Sequence, residues 1–211
     1  MDVRIRFLLG VAGVLLGCAA CASSFAAAAP TAQNSSRKTI SALVRAARAQ
    51  VGVTLFYSPS YTRIGFPNGD VPRDRGVCTD VVIRAYRDAF GYDLQKAVHQ
   101  DMAAHFEQYP KSWGLKRPDS NIDHRRVPNL QVFFTRNETS LPVNRSVEHF
   151  KPGDLVTVMI PGNLPHIMLV SDRLAADGKT PLVIHNVGAG AREENALFDH
   201  PITGHYRLKA R

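Results

Sequence analysis

The residue types that could carry covalent chemistry in this chain are one thiol, Cys78, and two imidazoles, His166 and His185. Cys78 is the only cysteine beyond residue 21. It lies in Gly76-Val77-Cys78-Thr79-Asp80-Val81-Val82-Ile83-Arg84-Ala85, where a turn-rich loop runs into an amphipathic stretch. That spacing predicts a thiol at a helix N-terminus, where free backbone N–H groups and the positive end of the helix dipole favour a thiolate. His166 and His185 fall in strand-like runs, Leu164-Pro165-His166-Ile167-Met168-Leu169-Val170 and Leu182-Val183-Ile184-His185-Asn186-Val187. One thiol and two imidazoles suggest a cysteine nucleophile with its base and its orienter. Asn186 follows His185 and points to the opposite strand face, so only one of them can line a given site. His185 is the preferred reading and Asn186 the alternative.

Around these stand weaker candidates for substrate contact. Asp80 suits a helix cap, and a carboxylate so near the thiol opposes thiolate formation. Tyr57 and Asp70 would line the loop side of a cleft. His124 lies in Asp123-His124-Arg125-Arg126, which either binds an anionic peptide or forms a structural turn network. Cys78, Asp80, His166 and His185 are also zinc-ligand types. The chain lacks a close-spaced pair of the HxxxH or CxxC kind, so neither metal nor cofactor is expected. The competing bland reading of Cys78 is a buried small hydrophobe.

The elements that must position these groups follow from periodicity. Ser36 could cap a helix over 37–51, with Ile40, Leu43, Val44, Ala47 and Val51 on one face and Gly52 ending it. Residues 53–57 read as strand-like. A loop from Ser58 to Val77 is long for a compact domain, and such loops are often functional. It feeds the Cys78 helix, whose buried face is Val81, Val82, Ala85, Tyr86 and Ala89 and whose C-cap is Gly91. Asp93 opens a second helix to about residue 108, and Pro128 a short one to about residue 136. From Asp154 the period becomes strand-like: 155–160, 166–171, 182–187 and 202–208. Pro161-Gly162-Asn163 and Asp177-Gly178 supply turns. Helices followed by strands indicate an α+β fold, with the thiol on the helical half and both imidazoles on a small antiparallel sheet.

The chain has 211 residues, a hydrophobic content of 45% and a charged content of 21%, a globular composition. Residues 1–29 have the layout of a secretory signal peptide: Arg4 and Arg6, a short apolar run, then small residues. Residues 30–36 read as a linker and 37–211 as a single domain. The product would be periplasmic or secreted. Leu15-Leu16-Gly17-Cys18 offers an alternative, a membrane tether through a lipidated Cys18. Once the leader is lost, Cys78 has no partner for a disulfide. The net charge is +8. Export argues against nucleic acid as the partner, so an acidic cell-wall polymer or a membrane surface fits the basic charge better.

Phe150-Lys151-Pro152-Gly153-Asp154-Leu155-Val156, then Pro165-His166-Ile167-Met168-Leu169-Val170, then Val183-Ile184-His185-Asn186 form an ordered series. It resembles the NlpC-type, papain-like cysteine peptidases of bacterial cell walls. More closely, the chain resembles a family of exported bacterial proteins with an uncharacterised domain within that superfamily. Gly69-Asp70-Val71-Pro72, Gly76-Val77-Cys78-Thr79-Asp80, Ile122-Asp123-His124-Arg125-Arg126-Val127-Pro128-Asn129-Leu130 and Thr203-Gly204-His205-Tyr206 carry that likeness, over roughly residues 37–208. The resemblance implies a papain-like fold, with Cys78 as nucleophile, His166 as general base and His185 as orienter. It implies hydrolysis of amide bonds in peptidoglycan or its stem peptides through a thioester. An acyltransferase or amidase on the same scaffold, or a non-catalytic envelope binding module, are the competing functions. Two positions depart from the pattern. The usual Asp-Cys-Ser-Gly is Val77-Cys78-Thr79-Asp80 here, and Met168 stands where glycine or alanine is common, which would narrow the cleft.

Overall fold

The computed structural model describes residues 32–137 and 139–207. The leader expected over 1–29 and Cys18 lie outside the described residues. Among the described residues no helix is long and apolar enough to cross a membrane.

The first helix, α1, is Ala32–Arg48. It begins inside the stretch expected to be a linker, because no proline or glycine interrupts the chain between Pro30 and Gly52. It ends at Arg48 and not at Val51. The N–H groups of Gln50 and Val51 bond carbonyls three residues back, at 3.1 and 3.0 Å, and Gly52 takes a φ of 79°. Two short strands follow, β1 (Phe56–Tyr57) and β2 (Arg75–Gly76), paired in parallel. The long loop therefore leaves and returns at one place.

Helix α2 is Cys78–Phe90, closed by Gly91 at φ 64°. Its Arg84 is fully buried and organises the loop. The guanidinium holds Asp70 at 3.0 Å, Thr54 Oγ1 at 3.1 Å and the carbonyls of Val71, Pro72 and Arg75 at 3.1, 3.3 and 2.9 Å. Helix α3 is Leu94–Ala104, with the Asp93 carboxylate accepting the Lys96 N–H at 3.1 Å. It stops short of the expected end, and Phe106–Gln108 form a separate 3-10 turn. Helix α4 is Val127–Arg136, with Pro128 in its first turn.

The second half forms a six-stranded antiparallel sheet: β3 (Ser140–Leu141), β4 (Leu155–Ile160), β5 (Leu164–Leu174), β6 (Pro181–Asn186), β7 (Ala191–Glu194) and β8 (Ile202–Tyr206). The order across it is β3-β8-β4-β5-β6-β7. Apart from the two-residue strands β1 and β2 between α1 and α2, the helices precede the strands along the chain, in keeping with an α+β reading. Strand alternation divides the sheet's side chains. Leu155, Ile167, Leu169 and Ile184 pack with Leu43, Val44, Val81, Val82 and Phe134 of the helices. Val156, Val158, Met168, Val170 and Val183 face the other way and are covered by Phe150 and Leu197.

One detail of register matters for the site. β4 pairs with β5 continuously from Leu155↔Leu169 to Ile160↔Leu164. β5 pairs with β6 only from Leu169↔Ile184 onward, through Val170↔Val183 to Leu174↔Pro181. At His166 and Ile167, β5 keeps β4 and has left the β6 ladder.

Candidate active site

Cys78 is the first residue of α2, preceded by Val77 in extended conformation. Asp80 builds the turn. Its Oδ2 accepts the Val77 N–H at 2.6 Å, and both oxygens accept from Arg125, Nε and Nη2 at 2.9 Å each. A Cβ on Gly76 would come within 2.9 Å of Asp80 Oδ2, so this position needs glycine. Arg125 also donates to the carbonyls of Ser60 and Ser58, at 3.4 and 3.2 Å, and its own carbonyl accepts from Thr79 Oγ1 at 3.0 Å. Asp80 and Arg125 are both buried. Asp80 thus caps the helix and anchors the loop. As a candidate substrate contact it is enclosed, its carboxylate already shared among three donors.

The Cys78 thiol is 4% exposed. Burial pushes it up to about 11, and the charge of Asp80 adds to the rise. Backbone amides of Ile167, Thr79 and Cys78 itself pull the other way, with Ile167 the strongest of the three. The helix terminus therefore acts in the expected direction, but burial outweighs it. The resting group is a neutral thiol and not the thiolate that position alone suggested.

The Ile167 amide that lowers the thiol belongs to the residue after His166. His166 itself is buried, and burial, followed by the charges of His185 and His200, pushes it down to about 3. Its Nε2 lies 2.8 Å from His185 Nδ1, and His185 Nε2 lies 2.9 Å from Glu194 Oε1. The two rings meet edge to face at 5.0 Å. His185 is also lowered, burial outweighing the opposing pull of Glu194. The result is a chain of three side chains along one sheet face. Among the described residues, no hydrogen bond joins the Cys78 sulfur to His166. By register, His166 shares the sheet face of Val158, opposite the face that packs on α2.

Asn186 occupies the opposite face. Its Nδ2 donates to the carbonyls of Gly76 at 3.1 Å and Phe56 at 3.4 Å, and its Oδ1 accepts the Gly188 N–H at 3.2 Å. It ties β6 to the segment entering Cys78, while His185 is the partner of His166. Tyr57 stands beside the thiol: its phenol is raised by burial first and then by the charges of Cys78 and Asp80, and it is 40% exposed.

Asp70 and His124 sit elsewhere. Asp70 is held by Arg84 and by Arg87 Nη1 at 3.1 Å, so it fastens the loop to α2. His124, in a 3-10 turn over Asp123–Arg125, is buried and pushed down to about 3, by burial and then by Arg125. Its other charged neighbours are Asp93, Arg87 and Asp70. Both belong to the scaffold under α2. Among the described residues no group of three or more His, Cys, Asp or Glu side chains is arranged to hold a metal ion. A cavity of about 160 Å³ opens on His185, Arg192, Glu194 and the glycines at 188 and 190. A larger one of about 710 Å³ lies between Tyr61, Arg63, His99 and residues 114–121, lined by none of the predicted site residues.

Sequence reasoning missed Arg125 and Glu194. Arg125 left a trace in the Asp-His-Arg-Arg run, read as a polar cluster. Glu194 lies in Ala191-Arg192-Glu193-Glu194, whose pattern does not announce a strand. Its place comes from the register Val183↔Glu194.

Residues 44–208 match the model of the family described as "Domain of unknown function (DUF1287)", and the chain belongs to that family. It is also similar to "Uncharacterized protein YijF" of Escherichia coli (strain K12), 52% identical over 178 residues, which span 84% of this chain and 86% of that relative.

Proposed function

We propose that the protein is a cell-envelope thiol hydrolase of papain-like, NlpC-type architecture that cleaves amide bonds in peptidoglycan peptides. One observation carries the reading: the Cys78 thiol, at the first residue of α2, is influenced by the amide of Ile167, next to an imidazole already bonded to a second one. A nucleophile, a base and a base-orienter are the minimum set for acyl transfer through a thioester. In this mechanism His166 takes the Cys78 proton as the sulfur attacks the substrate carbonyl. The Cys78 N–H, at the start of the helix, faces the developing oxyanion. The leaving amine takes the proton from His166. Water then attacks the thioester, with His166 as base again, and frees the thiol. Because burial keeps both groups neutral at rest, proton transfer accompanies attack and does not precede it. Tyr57, partly exposed beside the thiol, is a substrate contact.

The secretory layout of residues 1–29 and the net charge of +8 support an acidic wall polymer as substrate. Incubating murein and its stem peptides with the protein and with Cys78→Ala, followed by mass spectrometry, tests the proposal. Product release by the wild type alone is expected, and equal release by both would end it. An acyltransferase on the same scaffold would instead give a new amide or ester in the product mixture.

A second reading, a non-catalytic binding module, is favoured by the 4% exposure of Cys78. Iodoacetamide separates the two. A thiol that resists alkylation at neutral pH in the folded protein supports the binding module, and a reactive one supports the hydrolase.

A further inference from the structure

The hydrogen-bond chain from His166 to Glu194 has a direction that the distances and elementary chemistry fix. A carboxylate only accepts, so the 2.9 Å contact to Glu194 requires the proton on His185 Nε2. A neutral imidazole carries one N–H, so His185 Nδ1 is then a lone pair. The 2.8 Å contact to His166 must be donated by His166 Nε2–H. That leaves His166 Nδ1 bare. The reverse arrangement would set a His185 lone pair against the Glu194 oxygens. The charged groups near the chain are Glu194 and Arg192 from β7, Asp199 and His200 from the segment before β8, and the two imidazoles themselves. Of these, Glu194 alone is hydrogen-bonded to His185.

We infer that Glu194 is a positioning residue that sets both imidazoles as Nε2–H tautomers and so keeps His166 Nδ1 free to accept a proton. For its catalytic meaning this rests on the thiol-hydrolase reading; the tautomers themselves do not. Glu194 acts through His185 and His166. It occupies an edge strand with its side chain 39% exposed, so its removal leaves the core intact.

The test reads protonation directly. Histidine-labelled protein is examined by ¹⁵N ring NMR at pH 7.5, with Glu194→Ala, Glu194→Gln and Cys78→Ala beside the wild type. In the wild type and in Cys78→Ala, His166 and His185 are both Nε2–H. In Glu194→Ala each ring becomes a mixture, and Glu194→Gln, whose carbonyl can still accept, restores the wild-type signals at least in part. A His185 protonated on Nδ1 in the wild type, or unchanged tautomers in Glu194→Ala, would overturn the inference. Turnover on murein peptides is expected to fall about 10- to 100-fold in Glu194→Ala, less than for loss of the orienting imidazole itself. If murein is not cleaved by the wild type while the tautomers respond as stated, the hydrolase reading fails and the role of Glu194 stands.

Discussion

Two histidine–carboxylate clusters lie on the sheet, built from the same residue types and closed in different ways. His205 on β8 sits 2.7 Å from Asp154, and both are about 1% exposed in their side chains. Asp154 also accepts from Arg207 Nε and Nη2, at 2.6 and 2.7 Å, and from the Lys151 N–H at 2.9 Å. The His205 ring stacks on Phe150 at 4.6 Å, and its Nδ1 is buried without a partner. Such a nitrogen costs about 1–3 kcal/mol, a penalty the charge-assisted bonds on the other side offset. The cluster of His166, His185 and Glu194 ends differently. One end is a partly exposed carboxylate, the other an imidazole next to the amide that influences the thiol. A closed cluster is a joint in the fold. An open one can pass a proton.

The largest expected difference between the two is catalytic. On the proposed hydrolase reading, His166→Ala is expected to lower amide hydrolysis by about 10²–10⁴-fold, the usual contribution of a general base. His205→Ala leaves turnover per folded molecule unchanged, and product release normalised to the folded fraction measures both. Equal losses would erase the distinction. Stability runs the other way. Asp154→Ala leaves the buried His205 ring and the Lys151 N–H without their acceptor and costs about 1–3 kcal/mol in urea unfolding. Glu194→Ala costs under about 1 kcal/mol, because its carboxylate is partly solvated. A comparable loss in both would make the second cluster structural too.

Acid should sharpen the contrast further. His166, His185 and His124 all have folded pKa values depressed by burial. The unfolded chain therefore binds more protons; the contribution of His166 and His124, complete above about pH 6.5, is lost as pH falls toward about 3, and His185 acts in the same direction. Stability measured across that window declines in the wild type and declines less steeply in His166→Gln. At the other extreme, the raised Cys78 thiol contributes fully below its unfolded value of 9.0 and loses that contribution as pH rises toward about 11. The smallest effect belongs to Asn186. Asn186→Ala removes the bonds to Gly76 and Phe56 and costs about 1 kcal/mol in thermal unfolding. Alkylation of Cys78 in this variant is faster, because the segment entering α2 loosens.

What could be read in the chain itself depended on whether its cause was local. The end of α2 and the start of α3 were legible because Gly91 and Asp93 act within a few residues of their own positions. β4, β5 and β6 were legible as short, nearly continuous apolar runs bounded by turn residues, the pattern of a sheet covered on both faces. β1 and β2 have two residues each and exist only by pairing with one another across the loop. β7 is polar, and its register with β6 gives it its strand character. In the site, Cys78 and both imidazoles stood out by type. The thiol's protonation did not, since the burial that sets it comes from packing against β5. Arg125 lies 45 residues from the Asp80 it neutralises, a pairing that residue type alone does not specify.

Arg84 has one more consequence, for motion. The segment that delivers Gly76 and Val77 to the thiol is fastened to α2 by a guanidinium of zero exposure. Lifting the segment would strand that cation in the interior without its carbonyl and carboxylate partners, at a cost of several kcal/mol. Deuterium uptake at the amides of residues 70–77 is therefore slaved to global unfolding and not to independent loop opening. A long, proline- and glycine-rich loop, by composition a natural gate, is a fixed wall of the site. The backbone that presents Cys78 is set in the folded chain before any ligand arrives.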